Sequence, residues 1–299
     1  MISYSSSPLK TIHRDNRIFN SFLNETDTNI DWETVNSFGE EWNKFDVFSE
    51  ADIEKIGNDY FDIVSSDLLN KETTVLDVGF GSGRWIKYIA KHVKFVEGID
   101  PSNAIFSAAH FLSSTPNVRL TQASVEAIPF TDNSFDFVYS LGVLHHLPNT
   151  ELAIKRCFEK TKNGGHFLLY LYYNLDNRSI IHKSLFHVSN LLRKGISKLP
   201  RKLKSFVCDL IAILVYWPMA KLGNILSLFS STMADSFPLG YYRKTSFHIM
   251  RNDALDRFGT PLELRFSKQE IESMLVRCGF YNITFSKNPP YWHVIAQKP

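Results

Sequence analysis

Cysteine is scarce in this chain, with three in 299 residues, at 157, 208 and 278, and no two of them close together. An odd, scattered set excludes a disulfide framework and a C-x-x-C metal knuckle, and it fits a reducing compartment. Charge of one sign is also lacking. With 33 basic and 31 acidic side chains the net charge is +2, so no global field gathers DNA or RNA, and nucleic acid is not the expected partner. The N-terminal stretch "MISYSSSPLKTIHRDNR" has no continuous apolar core of signal-peptide length, and a cytoplasmic location is expected. The uninterrupted apolar run at 210–220 is eleven residues long, well short of the roughly 20 needed to span a bilayer. Asp209 and Lys221 bracket it, and Pro218 interrupts it.

What the sequence does have is alternation. From 73 to 175, short apolar runs near 74–79, 95–100, 118–123, 135–140 and 166–173 alternate with amphipathic segments near 83–91, 102–113 and 150–161. Such alternation predicts a doubly wound, mostly parallel α/β sheet, Rossmann-like and seven-stranded once the closing strands near 281–286 and 291–297 are added. Residues 1–72 read as an N-terminal helical cap, with Ser49 and Asp52 opening a helix whose apolar residues recur from Ile53 to Leu68. Residues 176–254 interrupt the rhythm as a helical insertion between strands 5 and 6, and 255–299 return to the core. There Ser267 and Glu270 form a capping box and Gly279 a helix stop.

The turn "VLDVGFGSGRW" (75–85) carries Asp77, Gly79, Gly81 and Gly83 in D-x-G-x-G-x-G spacing. A dinucleotide turn spaces its glycines G-x-G-x-x-G, and here Arg84 stands where its third glycine belongs. An Asp ahead of the glycines repels a pyrophosphate but holds an ammonium group. Twenty-three residues on, Asp100 ends the second strand, the place where ribose hydroxyls are gripped.

These residues resemble the class I S-adenosylmethionine-dependent methyltransferases, over about 73–175 and again at "RFSKQEIESMLVRCGF" (265–280). The resemblance implies S-adenosylmethionine as cofactor, with Asp77, Gly79, Gly81 and Gly83 at its methionine part and Asp100 at its ribose. Val125 and Leu141 join the expected cofactor wall. Where such proteins commonly place an acid beside the adenine this chain has Ser124, so a hydroxyl or backbone contact is expected there. "SLGVLHHLP" (140–148) puts His145 and His146 in the loop that passes the sulfonium in the family. His145 is the expected general base, with structural packing of the pair as the competing reading. Adjacent histidines without a third ligand nearby do not make a metal site.

The expected reaction is O- or N-methylation of a small-molecule acceptor, sugar-like or lipid-linked. A catalytically silent cofactor-binding subunit and, further off, an NAD-dependent oxidoreductase are the alternatives. Tyr241, Tyr242, Arg243, His248, Arg251 and Trp292 are the candidate acceptor contacts, and Trp42 reads as an aromatic anchor of the N-terminal cap or, alternatively, as a gate over the cofactor mouth. The insertion has two readings, a lid over the acceptor site or a peripheral membrane contact through 193–231, where a basic stretch precedes the apolar one.

Overall fold

Among the described residues, nine strands build a single mixed sheet in the computed structural model of the chain. All residues are described except 16, 25, 45–48 and 177–179, along with the side chains of 40–44, 181–183, 185, 235 and 236. The side chain of Trp42 thus lies outside the described residues. The chain divides into two units, Met1–Asp176 with Leu262–Pro299, and Asn177–Pro261.

The strands are β1 (Lys10–Arg14), β2 (Arg17–Ser21), β3 (Thr74–Val78), β4 (Phe95–Asp100), β5 (Val118–Gln122), β6 (Phe135–Leu141), β7 (Thr161–Tyr170), β8 (Tyr281–Phe285) and β9 (His293–Gln297). Their order is β1-β2-β5-β4-β3-β6-β7-β9-β8, parallel from β2 to β7 and antiparallel at both margins. Helices of the first unit before the second begins are α1 (Trp32–Lys44), α2 (Glu50–Tyr60), α3 (Arg84–Ile89), α4 (Ala104–Phe111) and α5 (Thr150–Lys160). The second unit holds α6 (Ile180–Ile196), α7 (Arg201–Ile211), α8 (Trp217–Ser227), α9 (Ser231–Ser236) and α10 (Phe247–Gly259), and α11 (Lys268–Cys278) returns to the first.

Strand order reverses at β3, whose neighbours are β4 on one side and β6 on the other, so a cleft opens at the carboxyl ends of these strands. Side chains alternate across β3. Val75 packs with Ile86 and Ile89 of α3, whereas Leu76 packs with Ile154 of α5 and Leu275 of α11. Full burial of each such side chain contributes about 1.5–3 kcal/mol. The same alternation puts Asp77 on the Val75 face, fully inside.

The strand count corrects the expectation of seven, because the hairpin β1–β2 extends the sheet beyond β5. Four of the five β1 residues are exposed, so this edge strand has no apolar alternation to read. The second helix is also shorter than its periodicity suggests, ending at Tyr60. Just beyond it Asp62 is drawn into the antiparallel margin, accepting from Ser286 Oγ at 2.7 Å and pairing with His293 Nε2 at 2.6 Å. The capping box at Ser267 and Glu270 and the left-handed Gly279 form as expected.

In the second unit, Cys208, Ala212, Tyr216 and Ala220 pack with Met250, Ala254 and Phe258 of α10. That packing carries the unit to Pro261 and corrects the expected return to the core at 255. Pro218 does not break the helix, because a π-helical turn, Ala212–Tyr216, accommodates its missing donor, and α7 and α8 run on as one helix, Arg201–Ser227.

Candidate active site

The turn after β3 is shaped by its glycines. Gly79, Gly81 and Gly83 have φ of 85°, 52° and 81°, a region L side chains rarely enter. A Cβ on Gly79 would lie 2.4 Å from Val143 Cγ1, so the loop after β6 closes against the bare backbone here. Gly79 N donates to Ile99 O at 2.8 Å, and Gly81 N donates to Asp100 Oδ2 at 2.9 Å. Asp100 Oδ1 accepts from Ser102 N and Ser102 Oγ at 2.8 and 2.6 Å. The acid after β4 therefore holds the turn in shape as well as standing at the cleft. Burial raises its pKa, against the pull of these donors.

Asp77 is the exception to the rule that buried charge is paired. It is 0% exposed, and neither carboxylate oxygen has a hydrogen-bond partner. The Tyr139 hydroxyl lies close enough to interact with it, without completing a bond of normal geometry. Desolvation, reinforced by Asp100, pushes its pKa well above the ordinary range. A buried carboxylate without a partner is unfavourable until a cation arrives.

The cleft beside the turn is lined by Val78, Gly79, Ile99, Pro101, Ala123, Ser124, Val125, Val143, Leu144 and Leu147, with Asn29 and Ile30. Its walls are mostly apolar, the surroundings an adenosine moiety favours. Leu141 is buried at the end of β6, one strand position before the left-handed Gly142. A wider surface hollow at α5 and α11, around Glu151, Ser267, Glu270 and Arg277, contains none of these residues.

One participant was not visible in the sequence. Ser124 Oγ donates a short hydrogen bond to Asp27, so the hydroxyl expected to face the ligand is engaged by a carboxylate from the N-terminal segment. Glu126 holds that segment in place, accepting from Thr28 N and Asn29 N, both at 2.8 Å. Asn29 completes the attachment through Asn149. Farther along, Gly39 of α1 lies against Ser102 and Asn103, at the end of β4. No spacing rule links position 27 to 124. The only sequence signal was the absence of an acid at 124.

The histidines have separate roles. His146 Nδ1–H donates to Leu262 O at 2.7 Å, and its ring packs against Phe38. This bond fixes the loop and occupies Nδ1 of His146. His145 is 0% exposed, stacked on Tyr172 at 3.9 Å, with no partner for either ring nitrogen. Desolvation, His146 and Arg265 together hold its pKa well below the ordinary value, so the ring is neutral at physiological pH. It does not line the cleft, although its loop neighbours Val143, Leu144 and Leu147 do.

Of the acceptor candidates, Trp292 belongs to the first unit and the other five to the second. Trp292 Nε1 donates to Asp176 at 3.1 Å and packs near Phe285 and Tyr291. Within the second unit, Tyr242 donates to Asp253, Arg243 bonds Gly240 O in its own turn, and Arg251 makes a two-pronged pair with Asp209 at 2.9 and 2.8 Å. These bonds hold the polar groups of Tyr242, Arg243 and Arg251 within the fold of that unit. Tyr241 and His248 lie on its exposed surface. Among the described residues, no three His, Cys, Asp or Glu side chains are placed to share a metal ion.

Residues 76–169 match the model of a family described as a methyltransferase domain. A phosphoethanolamine N-methyltransferase of Caenorhabditis elegans is 34% identical over 103 residues, 33% of this chain and 24% of that protein. A tRNA U34 carboxymethyltransferase of Pseudoalteromonas atlantica is 34% identical over 100 residues, 32% of this chain and 30% of that protein. This chain therefore matches less than a third of the length of either relative. In three dimensions it resembles a chain of the complex between the Haloferax volcanii Trm112 methyltransferase activator and a methyltransferase. That likeness has a TM-score of 0.50 at 12% identity, over 88% of this chain and 98% of the other, and it is a likeness of fold.

Proposed function

Residues 76–169 being a class I S-adenosylmethionine-dependent methyltransferase domain, we propose that the whole chain transfers the methyl group of this cofactor to a small-molecule acceptor. The observation that carries the reading is Asp77, a fully buried carboxylate with two unpartnered oxygens, beneath a glycine turn that only bare backbone can form. These residues fit the cofactor. Asp77 would take the ammonium of its methionine part, and Asp100 its ribose. Asp27 would take the place of the missing acid at 124, beside the adenine.

When bound, the cofactor supplies a methyl group already activated by its sulfonium. The chain's own work is then alignment and the exclusion of water. Val143, packed against Gly79, ties the loop after β6 to the glycine turn, and His146 anchors the same loop to Leu262. His145 is neutral, has no partner on either ring nitrogen and sits one residue from the cleft-lining Leu144; it is the proposed proton acceptor, a role that requires the loop to turn its ring into the cleft.

Calorimetry with S-adenosylhomocysteine and NAD, followed by transfer of labelled methyl to fractionated extract, tests the reading. Binding of the homocysteine product and label in the small-molecule pool are expected. Binding of NAD alone would overturn the proposal, and cofactor binding without transfer to any fraction would make the chain a sensor. His145→Ala should lower the transfer rate about 10²–10⁴-fold with little change in product affinity.

A further inference from the structure

The formal charge of the whole chain conceals a division. Residues 177–261 hold thirteen Lys and Arg against four Asp and no Glu, a net of +9, so the remainder carries −7. Such asymmetry marks a segment that meets an anionic partner.

The geometry of the long helix Arg201–Ser227 narrows the kind of partner. One side, Cys208, Ala212, Tyr216 and Ala220, is buried in the unit's own core. The other presents Leu203, Phe206, Leu210, Leu214, Trp217 and Ile225, each 37–69% exposed. Their spacing puts them on one face, along a helix about 40 Å long. A soluble surface seldom exposes so continuous an apolar stripe without a use for it. At its N-terminal end Lys194, Lys198, Arg201 and Lys202 are all exposed, and farther along the Lys221 ammonium lies 5.6 Å from the Trp217 ring. The helix is long and apolar enough to cross a membrane by length and composition. However, its inner face is committed to α10, and Asp209 is tied to Arg251, so it is built to lie along a surface.

We propose that this unit docks on an anionic phospholipid surface, with the exposed face of Arg201–Ser227 in the interfacial layer and the basic cluster over lipid phosphates. Large aliphatic side chains favour acyl chains over the phosphates and stacked bases of RNA. A second copy is disfavoured, because pairing this face with itself brings two +9 units together. The inference stands apart from the methyl-transfer reading, since it uses no residue of the cleft.

The test is flotation of the full chain with vesicles of phosphatidylcholine, alone or with one third phosphatidylglycerol, at about 50 and 300 mM salt. Binding to the anionic vesicles that weakens with salt is expected. Leu214→Asp, on the exposed face, should lower the bound fraction about tenfold or more, and Phe206→Ser should act in the same direction. Lys198→Glu with Lys202→Glu should lower binding to anionic vesicles about fivefold per charge or more. Unchanged S-adenosylhomocysteine binding and circular dichroism show that a variant is folded and keep the two readings separable. The proposal is overturned by absence of binding to both vesicles, by binding that Leu214→Asp and Phe206→Ser leave intact, by a Leu214-dependent dimer without vesicle binding, or by RNA binding in its place.

Discussion

Asp77→Asn should separate stability from cofactor binding. The substitution keeps the shape of the side chain and removes a carboxylate that is 0% exposed and has no hydrogen-bond partner. An amide in its place still leaves polar atoms unpaired, so the ligand-free variant recovers only the part of the cost that belongs to the charge, about 1–3 kcal/mol where the wild-type side chain is ionised. At this chain length each kcal/mol shifts Tm by about 2 °C. The sign of the pH dependence is fixed by the raised pKa, since the folded form binds the proton more tightly than the unfolded chain. The stability from that proton is fully present below the unfolded pKa, about 3.8, and is lost as pH rises through the folded value. Wild type should therefore fall in Tm relative to Asp77→Asn as pH climbs from 4 to 8. Affinity for S-adenosylhomocysteine should move the other way, with loss of a charged hydrogen bond weakening it about 10–100-fold. Scanning fluorimetry across pH, paired with calorimetry, reads both effects. A ligand-free variant less stable than wild type at pH 7, or an unchanged affinity, would refute the assignment.

Gly79→Ala should destabilise the chain by about 2–4 kcal/mol, because a Cβ at positive φ would sit 2.4 Å from Val143. Urea titration reads the loss, and Val143→Ala in the same chain should restore part of it. Asp27→Ala should weaken S-adenosylhomocysteine about tenfold but its inosine counterpart much less, as measured by competition binding. Equal losses for the two ligands would dissociate Asp27 from the adenine. Glu97, with its side chain 1% exposed, pairs with Arg119 at 2.6 Å, and Glu97→Ala removes that charged pair from a partly buried guanidinium and should cost about 1–3 kcal/mol in chemical denaturation. The pH profile of transfer should stay level through 6.5 and fall only at more acid pH, because burial lowers the pKa of His145. A midpoint at or above 6.5 would remove His145 as the proton acceptor.

Much of this protein was legible in one dimension, because the decisive signals are local. Alternating apolar runs specify β3 to β7 and their crossover helices, and the glycine turn announces itself because only glycine takes those φ values without strain. The methyl donor followed from the family resemblance that Asp77, the three glycines and Asp100 carry. Other features depend on what chain neighbours cannot encode. The hairpin β1–β2 has almost no buried face, so its residues show no pattern, and only pairing with β5 makes it part of the sheet. Asp27 reaches Ser124 across 97 residues, and the two adjacent histidines diverge because Leu262 offers a carbonyl to one alone. The apolar stretch 210–220 shows in the sequence as a run of eleven residues, yet its place in the longer helix Arg201–Ser227, with one face buried and the other exposed, arises only from packing on α10. Alternation thus determined the sheet, and the resemblance carried by the glycine turn implied the cofactor. Tertiary structure decided which polar groups are left without partners and which apolar face meets solvent, since both depend on contacts made far away along the chain.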